Sequence, residues 1–181
     1  MRRFVLAAAC LGLAVASAGD IEAQSSQQLR ARGYIGVGGG LAVPVGDLSD
    51  AAKTGWMGQL VGGYTSRGGL LGARIDATYG QNSLKTTGNV KLVGATGNVV
   101  VTPGHRPANI HPYFLAGAGL YRVSSTGGTA VTKVALNGGG GVQFHMGHRS
   151  DLFVEARFLT IRTDGPTNLI PIIVGFRWGG I

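Results

Sequence analysis

Polarity along this chain repeats every second residue, in one segment after another. Leu71, Ala73, Ile75, Ala77 and Tyr79 share one phase, and Gly72, Arg74, Asp76 and Thr78 share the other. Leu152, Val154, Ala156, Phe158 and Thr160 alternate in the same way with Phe153, Glu155, Arg157, Leu159 and Ile161, and so do Ile170, Ile172, Val174, Phe176 and Trp178 with Pro171, Ile173, Gly175 and Arg177. Successive side chains on a strand point to opposite faces, so this period denotes β-structure. Weaker segments lie near 33–43, 56–66, 90–101, 111–123 and 133–145. Turn chemistry separates them, in Pro44-Val45-Gly46-Asp47, Ser66-Arg67-Gly68-Gly69, Pro103-Gly104, Thr126-Gly127-Gly128 and Asp164-Gly165-Pro166. Helical patterning is nearly absent, with at most one turn over Leu48 to Lys53. Eight strands result, each near the ~9–11 residues a tilted strand needs to cross a bilayer.

Eight alternating strands can close with the apolar face inward around a ligand, as in a soluble lipocalin-like barrel, or outward toward lipid. Composition favours the second. Charged residues make up 13% of the 181, against about a quarter in a typical soluble domain. Hydrophobic residues reach 44%, so a disordered polyelectrolyte is excluded. Charges within strands fall on the phase opposite the apolar one and carry both signs: Arg74, Asp76, Arg122, Glu155, Arg157 and Arg177. With Gln143 they form the expected polar network of the lumen. Aromatics on the apolar phase lie toward strand ends, at Trp56, Tyr64, Tyr79, Tyr113, Tyr121, Phe144 and Trp178, where interfacial girdles are expected. Tyr34 falls on the other phase.

The fold expected is therefore all-β, an eight-stranded antiparallel up-and-down transmembrane β-barrel. Unpaired backbone in hydrocarbon costs several kcal/mol per group, so the first and last strands must pair. Eight strands leave an interior that side chains fill. The 33 glycines, including Gly38 to Gly40 and Gly138 to Gly141, suit tight curvature and make room for bulky neighbours.

Arg2 and Arg3, the apolar run Phe4 to Ala16 and the small residues Ala16-Ser17-Ala18 read as a secretory signal peptide over 1–23, cut after Ala18 or Ala23. Residues 24–32 would be a short periplasmic segment and 33–181 the barrel domain. A cut after Ala23 leaves 14 basic and 6 acidic residues. Cys10, the one cysteine, lies in the leader, which excludes a disulfide framework and a multi-cysteine metal site.

Several stretches resemble the small outer-membrane β-barrel domain proteins of Gram-negative bacteria, of OmpA/OmpX-like architecture. Val43-Pro44-Val45-Gly46-Asp47-Leu48 leading to Gly55-Trp56 is similar to their opening hairpin. His111-Pro112-Tyr113-Phe114-Leu115-Ala116-Gly117-Ala118-Gly119 resembles their Pro-Tyr-apolar-Gly-x-Gly strand, and Phe153-x-Glu155-x-Arg157-Phe158 and Ile172-x-Val174-Gly175-Phe176-x-Trp178 resemble their last two. The resemblance implies an outer-membrane location with both termini periplasmic. Loops near 44–55, 81–89, 124–132 and 163–168 would then be extracellular, and those near 67–69, 102–110 and 146–151 periplasmic. It implies as partners the outer-membrane lipid and, through the C-terminal strand, the barrel-assembly machinery; a surface ligand is not specified.

Catalytic, cofactor and metal sites are not expected. His145-x-x-His148 lacks the further ligands a metal centre needs, and His105 and His111 flank a proline turn. The glycine strings complete no nucleotide fingerprint. Lipid A 3-O-deacylases on this scaffold carry a motif resembling Arg-Phe-x-His-x-Ser-Asn. Here the stretch reads Arg157-Phe158-Leu159-Thr160-Ile161-Arg162-Thr163, and threonine cannot act as the base. The +8 charge is dispersed, with no basic-aromatic strip for nucleic acid; attraction of Lys53, Lys85, Arg67 or Arg106 to anionic lipid accounts for it. The expected function is a structural or surface-interaction role for a barrel with a plugged lumen. The alternatives are a narrow channel or transporter for small solutes and, less favoured, a lipid-modifying outer-membrane enzyme.

Overall fold

The computed structural model describes residues 32–66, 69–86, 88–103, 110–126, 129–147, 149–162 and 167–179. The signal peptide expected over 1–23, the segment 24–31, His105, Arg106, Arg67 and His148 lie outside them. Eight strands follow one another: β1 Arg32–Val45, β2 Gly55–Thr65, β3 Leu71–Ser83, β4 Asn89–Val101, β5 Ile110–Ser125, β6 Val131–His145, β7 Ser150–Ile161 and β8 Thr167–Gly179. A single helical turn, α1 (Asp47–Ala51), sits between β1 and β2. It starts at Gly46, whose φ of 63° is a conformation glycine adopts readily.

Every strand pairs antiparallel with its neighbours in sequence, and β1 closes the sheet on β8 from Tyr34↔Gly179 to Val45↔Asn168. The register is staggered. Starting at Gln81 of β3, the paired positions run through Trp56, Leu41, Ile172, Ala156, Gly140, Phe114 and Val101 and return to β3 at Leu71. That is a slip of ten residues in one circuit, which corresponds to strands tilted by about 40°. β1 begins and β8 ends at the same mouth of the barrel, here the terminal end; α1 lies at the other, the loop end.

At the loop end the lumen is oily. Ala42, Met57, Leu92, Ala135, Leu159, Ile161 and Leu169 are buried there in one cluster, with Leu48 of α1 and Val123 packed on it. The segment after α1 is tied to β3: Ala52 bridges Leu84, and Asn82 Nδ2 donates to the carbonyls of Ala42 (2.9 Å) and Lys53 (3.0 Å).

Glycines on the inner face create bays for aromatic rings. The ring of Phe153 lies against Gly38 and Gly175, Tyr34 against Gly63, Tyr121 against Gly94 and Tyr113 against Gly141. A Cβ on Gly175 would fall 2.5 Å from Phe153 Cζ and 2.5 Å from the Val37 carbonyl oxygen, whereas one on Gly97, facing outward, meets nothing within 4 Å. Overpacking of the first kind costs about 1–3 kcal/mol. Gly175→Val should therefore lower the urea midpoint of the refolded barrel measurably, and Gly97→Val should leave it unchanged or raise it.

Candidate functional site

The lumen at mid-height is held by four charges. Arg74 and Asp76 project from β3 and Glu155 and Arg157 from β7, which stands four strands away in a ring of eight and so on the opposite wall. Arg74 Nε donates to Asp76 Oδ1 at 2.6 Å and Nη1 to Glu155 Oε2 at 2.7 Å. Arg157 Nε donates to Glu155 Oε1 at 2.5 Å and Nη1 to Asp76 Oδ2 at 2.8 Å. Each arginine thus touches both carboxylates, and the four close a cycle of alternating sign, every member at most 6% exposed. Further donors and acceptors complete it. Asn98 Nδ2 donates to Asp76 Oδ2 (2.8 Å), Tyr113 Oη to Glu155 Oε2 (2.7 Å), and Arg157 Nη2 to Gln59 Oε1 (3.3 Å). The guanidinium of Arg74 also lies 5.7 Å from the centroid of the Phe153 ring.

Between this cycle and the apolar cap, Gln59, Thr78, Asn137 and Arg157 line a void of about 10 Å3, room for roughly one water molecule. Below the cycle a second knot stands toward the terminal end. Asp151 receives Arg177 Nε on Oδ2 at 2.7 Å and lies 2.8 Å from His145 Nδ1 through Oδ1, while Arg177 stacks 4.9 Å over the Tyr34 ring. Gln143 is buried on the same inner face. Side chains thus gather in the lumen at three levels, and the charge cycle joins opposite walls.

Outside, the barrel is apolar. Ile35, Leu60 and Ile75 are 68%, 62% and 66% exposed, a state in which such residues would forfeit burial in water but are at home in hydrocarbon. Trp56 and Tyr79 stand outward near the loop end with ring centroids 5.4 Å apart, and Tyr64 and Trp178 stand outward near the terminal end. Trp56 and Tyr64 are eight positions apart on β2. That separation spans about 27 Å along a strand and about 20 Å along the axis at a 40° tilt, close to the ~25 Å apolar band of such barrels. Among the described residues no charged side chain points outward between these two belts.

Three expected placements are corrected. Tyr113 and Tyr121 are not interfacial: they are 1% and 3% exposed and point into the lumen. Arg122 is not in the lumen but on the outer face. The cause lies in β5, where Phe114, Ala116, Ala118 and Leu120 face out and Tyr113, Leu115, Gly117, Gly119 and Tyr121 face in. Both faces are apolar, so polarity does not fix the phase; a buried tyrosine whose hydroxyl finds a partner does. Tyr113 bonds Glu155, and Tyr121 Oη accepts from Thr78 Oγ1 at 2.8 Å. Arg74, Asp76, Gln143, Glu155, Arg157 and Arg177 all face inward, and Trp56, Tyr64, Tyr79 and Trp178 outward. Asp151, Asn98 and Gln59 join the inner networks without having been singled out, their inward phase within each strand being the available signal, and Tyr34, set apart by its phase from the outer aromatics, joins them.

Removing one member of a buried ion pair strands its partner, at about 3–5 kcal/mol, whereas apolar replacement of the whole set is often neutral. Glu155→Gln should thus lower the unfolding free energy by about that amount in urea titration, and replacing Arg74, Asp76, Glu155 and Arg157 together by Met and Leu should lower it far less. Tyr113→Phe should cost about 1–3 kcal/mol by the same measurement, and Tyr64→Phe close to nothing.

No protein-family model matches the chain, and no curated protein is similar to it by sequence. Solved structures are similar in fold. Neisserial surface protein A aligns with a TM-score of 0.64 and 19% identity, covering 81% of this chain and 96% of that one. Ail, the attachment invasion locus protein of Yersinia pestis, in complex with the heparin analogue sucrose octasulfate, gives 0.58 and 16%, covering 82% and 98%. The N-terminal β-barrel domain of Pseudomonas aeruginosa OprF gives 0.50 and 12%, covering 82% and 100%. The chain has the fold of these eight-stranded outer-membrane β-barrels.

Proposed function

We propose that this protein is an exported outer-membrane barrel that serves the cell envelope in a structural or surface-interaction role, with a lumen closed by its own side chains. The observation that carries the reading is the inversion of the barrel. Large apolar residues stand exposed between two aromatic belts, and the four central charges are turned inward and paired. In this reading the N-terminal segment is a signal peptide, the termini face the periplasm and the loop end faces outward. Outer-membrane lipid surrounds the wall, and the assembly machinery engages β8. No catalytic step is assigned to the chain.

A surface role draws support from the loop end. Lys53 and Lys85 are exposed there, and the segments that carry them are locked together by Lys53 N–H to the Ser83 carbonyl (2.8 Å) and Lys85 N–H to the Ala51 carbonyl (2.9 Å). With Asp47 and Asp50 of α1 exposed beside them, these lysines make a rigid surface of mixed charge suited to polar ligands, and Ail, of the same fold, was crystallised with a sulfated sugar.

Fractionation of cells expressing the full chain, followed by gels with and without boiling, tests the assignment. The protein should appear in the outer-membrane fraction and migrate faster unboiled, because a closed barrel resists detergent until heated. In planar bilayers the purified protein should show no sustained conductance. A soluble, heat-indifferent protein would overturn the location, and steady ion current would favour a channel.

A further inference from the structure

The loop-end belt is chemically lopsided. Three strands, β4, β5 and β7, carry cations on its outer side. Lys91 of β4 pairs with Gln81, which pairs with Trp56, so the lysine stands on the same registered row as that belt residue. Arg122 of β5 pairs with Val93, which pairs with Tyr79, and so shares the row of the other belt aromatic. Arg162 follows the last residue of β7, and its N–H donates to the Val134 carbonyl at 3.0 Å, which carries the outward phase one step beyond Ile161. All three cations are exposed, and among the described residues none is in an ion pair. Hydroxyls stand directly beside them: Ser124 pairs with Lys91 and Thr132 with Arg122. Across the barrel the charge reverses, since α1, which bears Asp47 and Asp50, packs on β1 and β8.

We infer that this arc over β4 to β7 binds the phosphate groups of an anionic lipid in the surrounding leaflet. The height selects the occupant. An unpaired arginine inside hydrocarbon would be costly, and Arg122 stands where the apolar band gives way to headgroups. Lysine and arginine stems lie along the wall there and lift their charges to the interface. Arginine offers a fork that matches phosphate oxygens, lysine adds a compact charge, and the hydroxyls donate between them. A soluble polyanion arriving from water meets Lys53 and Lys85 of the loops first; the arc faces sideways, toward lipid. The inference rests on the proposed placement of the barrel in the outer membrane.

Refolded barrel in zwitterionic micelles, titrated with bisphosphorylated lipid A and read by native mass spectrometry, tests it. Wild type should retain the lipid and should bind a dephosphorylated analogue far more weakly. Lys91→Gln/Arg122→Gln/Arg162→Gln should bind the phosphorylated form about a hundredfold more weakly, roughly fivefold for each cation. Lys53→Gln/Lys85→Gln should bind it as wild type does. Arg122→Gln alone, which removes a single outward side chain, provides a milder variant with a loss of about fivefold. Equal binding by wild type and the triple variant, or indifference to the phosphates, would overturn the assignment. Loss of sucrose octasulfate binding in the triple variant with lipid binding intact would also overturn it and make the arc a site for soluble polyanions. A gel shift on heating reports separately on the barrel itself: a wild type that fails to shift refutes the placement, not the arc.

Discussion

Hydrocarbon offers a peptide group no hydrogen-bond partner, so a sheet can lie in it only if it has no edge. The β1–β8 seam meets that condition with a continuous register from Tyr34↔Gly179 to Val45↔Asn168. Once the seam closes, strand number and the ten-residue stagger fix how wide the lumen is, and little of the interior is left to chance. Inner-face glycines along the seam show how tight the fit is. Gly36, Gly38 and Gly40 on β1 face Gly175 and the backbone of β8 so closely that a Cβ at Gly40 would collide with the Ile172 carbonyl.

A narrow lumen with polar walls faces a choice between water and pairing. This chain pairs. Two carboxylates and two guanidinium groups, one of each from each side, satisfy one another across the barrel, and amides and a tyrosine hydroxyl take up the remaining positions. Such a cycle adds little net stability relative to an apolar filling. Its stronger effect is on register. A two-residue slip of β3 or β7 would separate both cross-wall contacts, Arg74–Glu155 and Arg157–Asp76, at once, so the cycle penalises misassembly more than it rewards folding. The apolar cap at the loop end does the complementary work by shape and by burial of Met57, Leu92, Leu159 and Leu169.

Much of this was legible in the chain. β3, β7 and β8 set polar against apolar so sharply that their strand character and their facing both follow from alternation, and Arg74, Asp76, Glu155 and Arg157 emerge as inner groups from that alone. β5 was not legible in the same way. Tyrosine is amphipathic, at ease at a bilayer interface or with its hydroxyl bonded in a lumen, and on a strand with two apolar faces it gives no phase. The glycines at 117 and 119, on the phase of Tyr113 and Tyr121, were the better guide, because inner walls need space. That β3 should meet β7 across the lumen was beyond reach, since the meeting depends on closure and stagger, which no single segment encodes.

The central claim is that lipid, not water, touches the phase containing Val37, Leu60, Val99 and Leu136. The sequence has one cysteine, Cys10, in the expected leader, so single spin labels can be placed on the mature chain without background. Accessibility of labels at those four positions to oxygen, which partitions into bilayers, and to a water-soluble nickel chelate reads the contact directly. High oxygen and low nickel accessibility at all four is the expected result. Free access of nickel to them, as on the surface of a soluble barrel, would contradict the account.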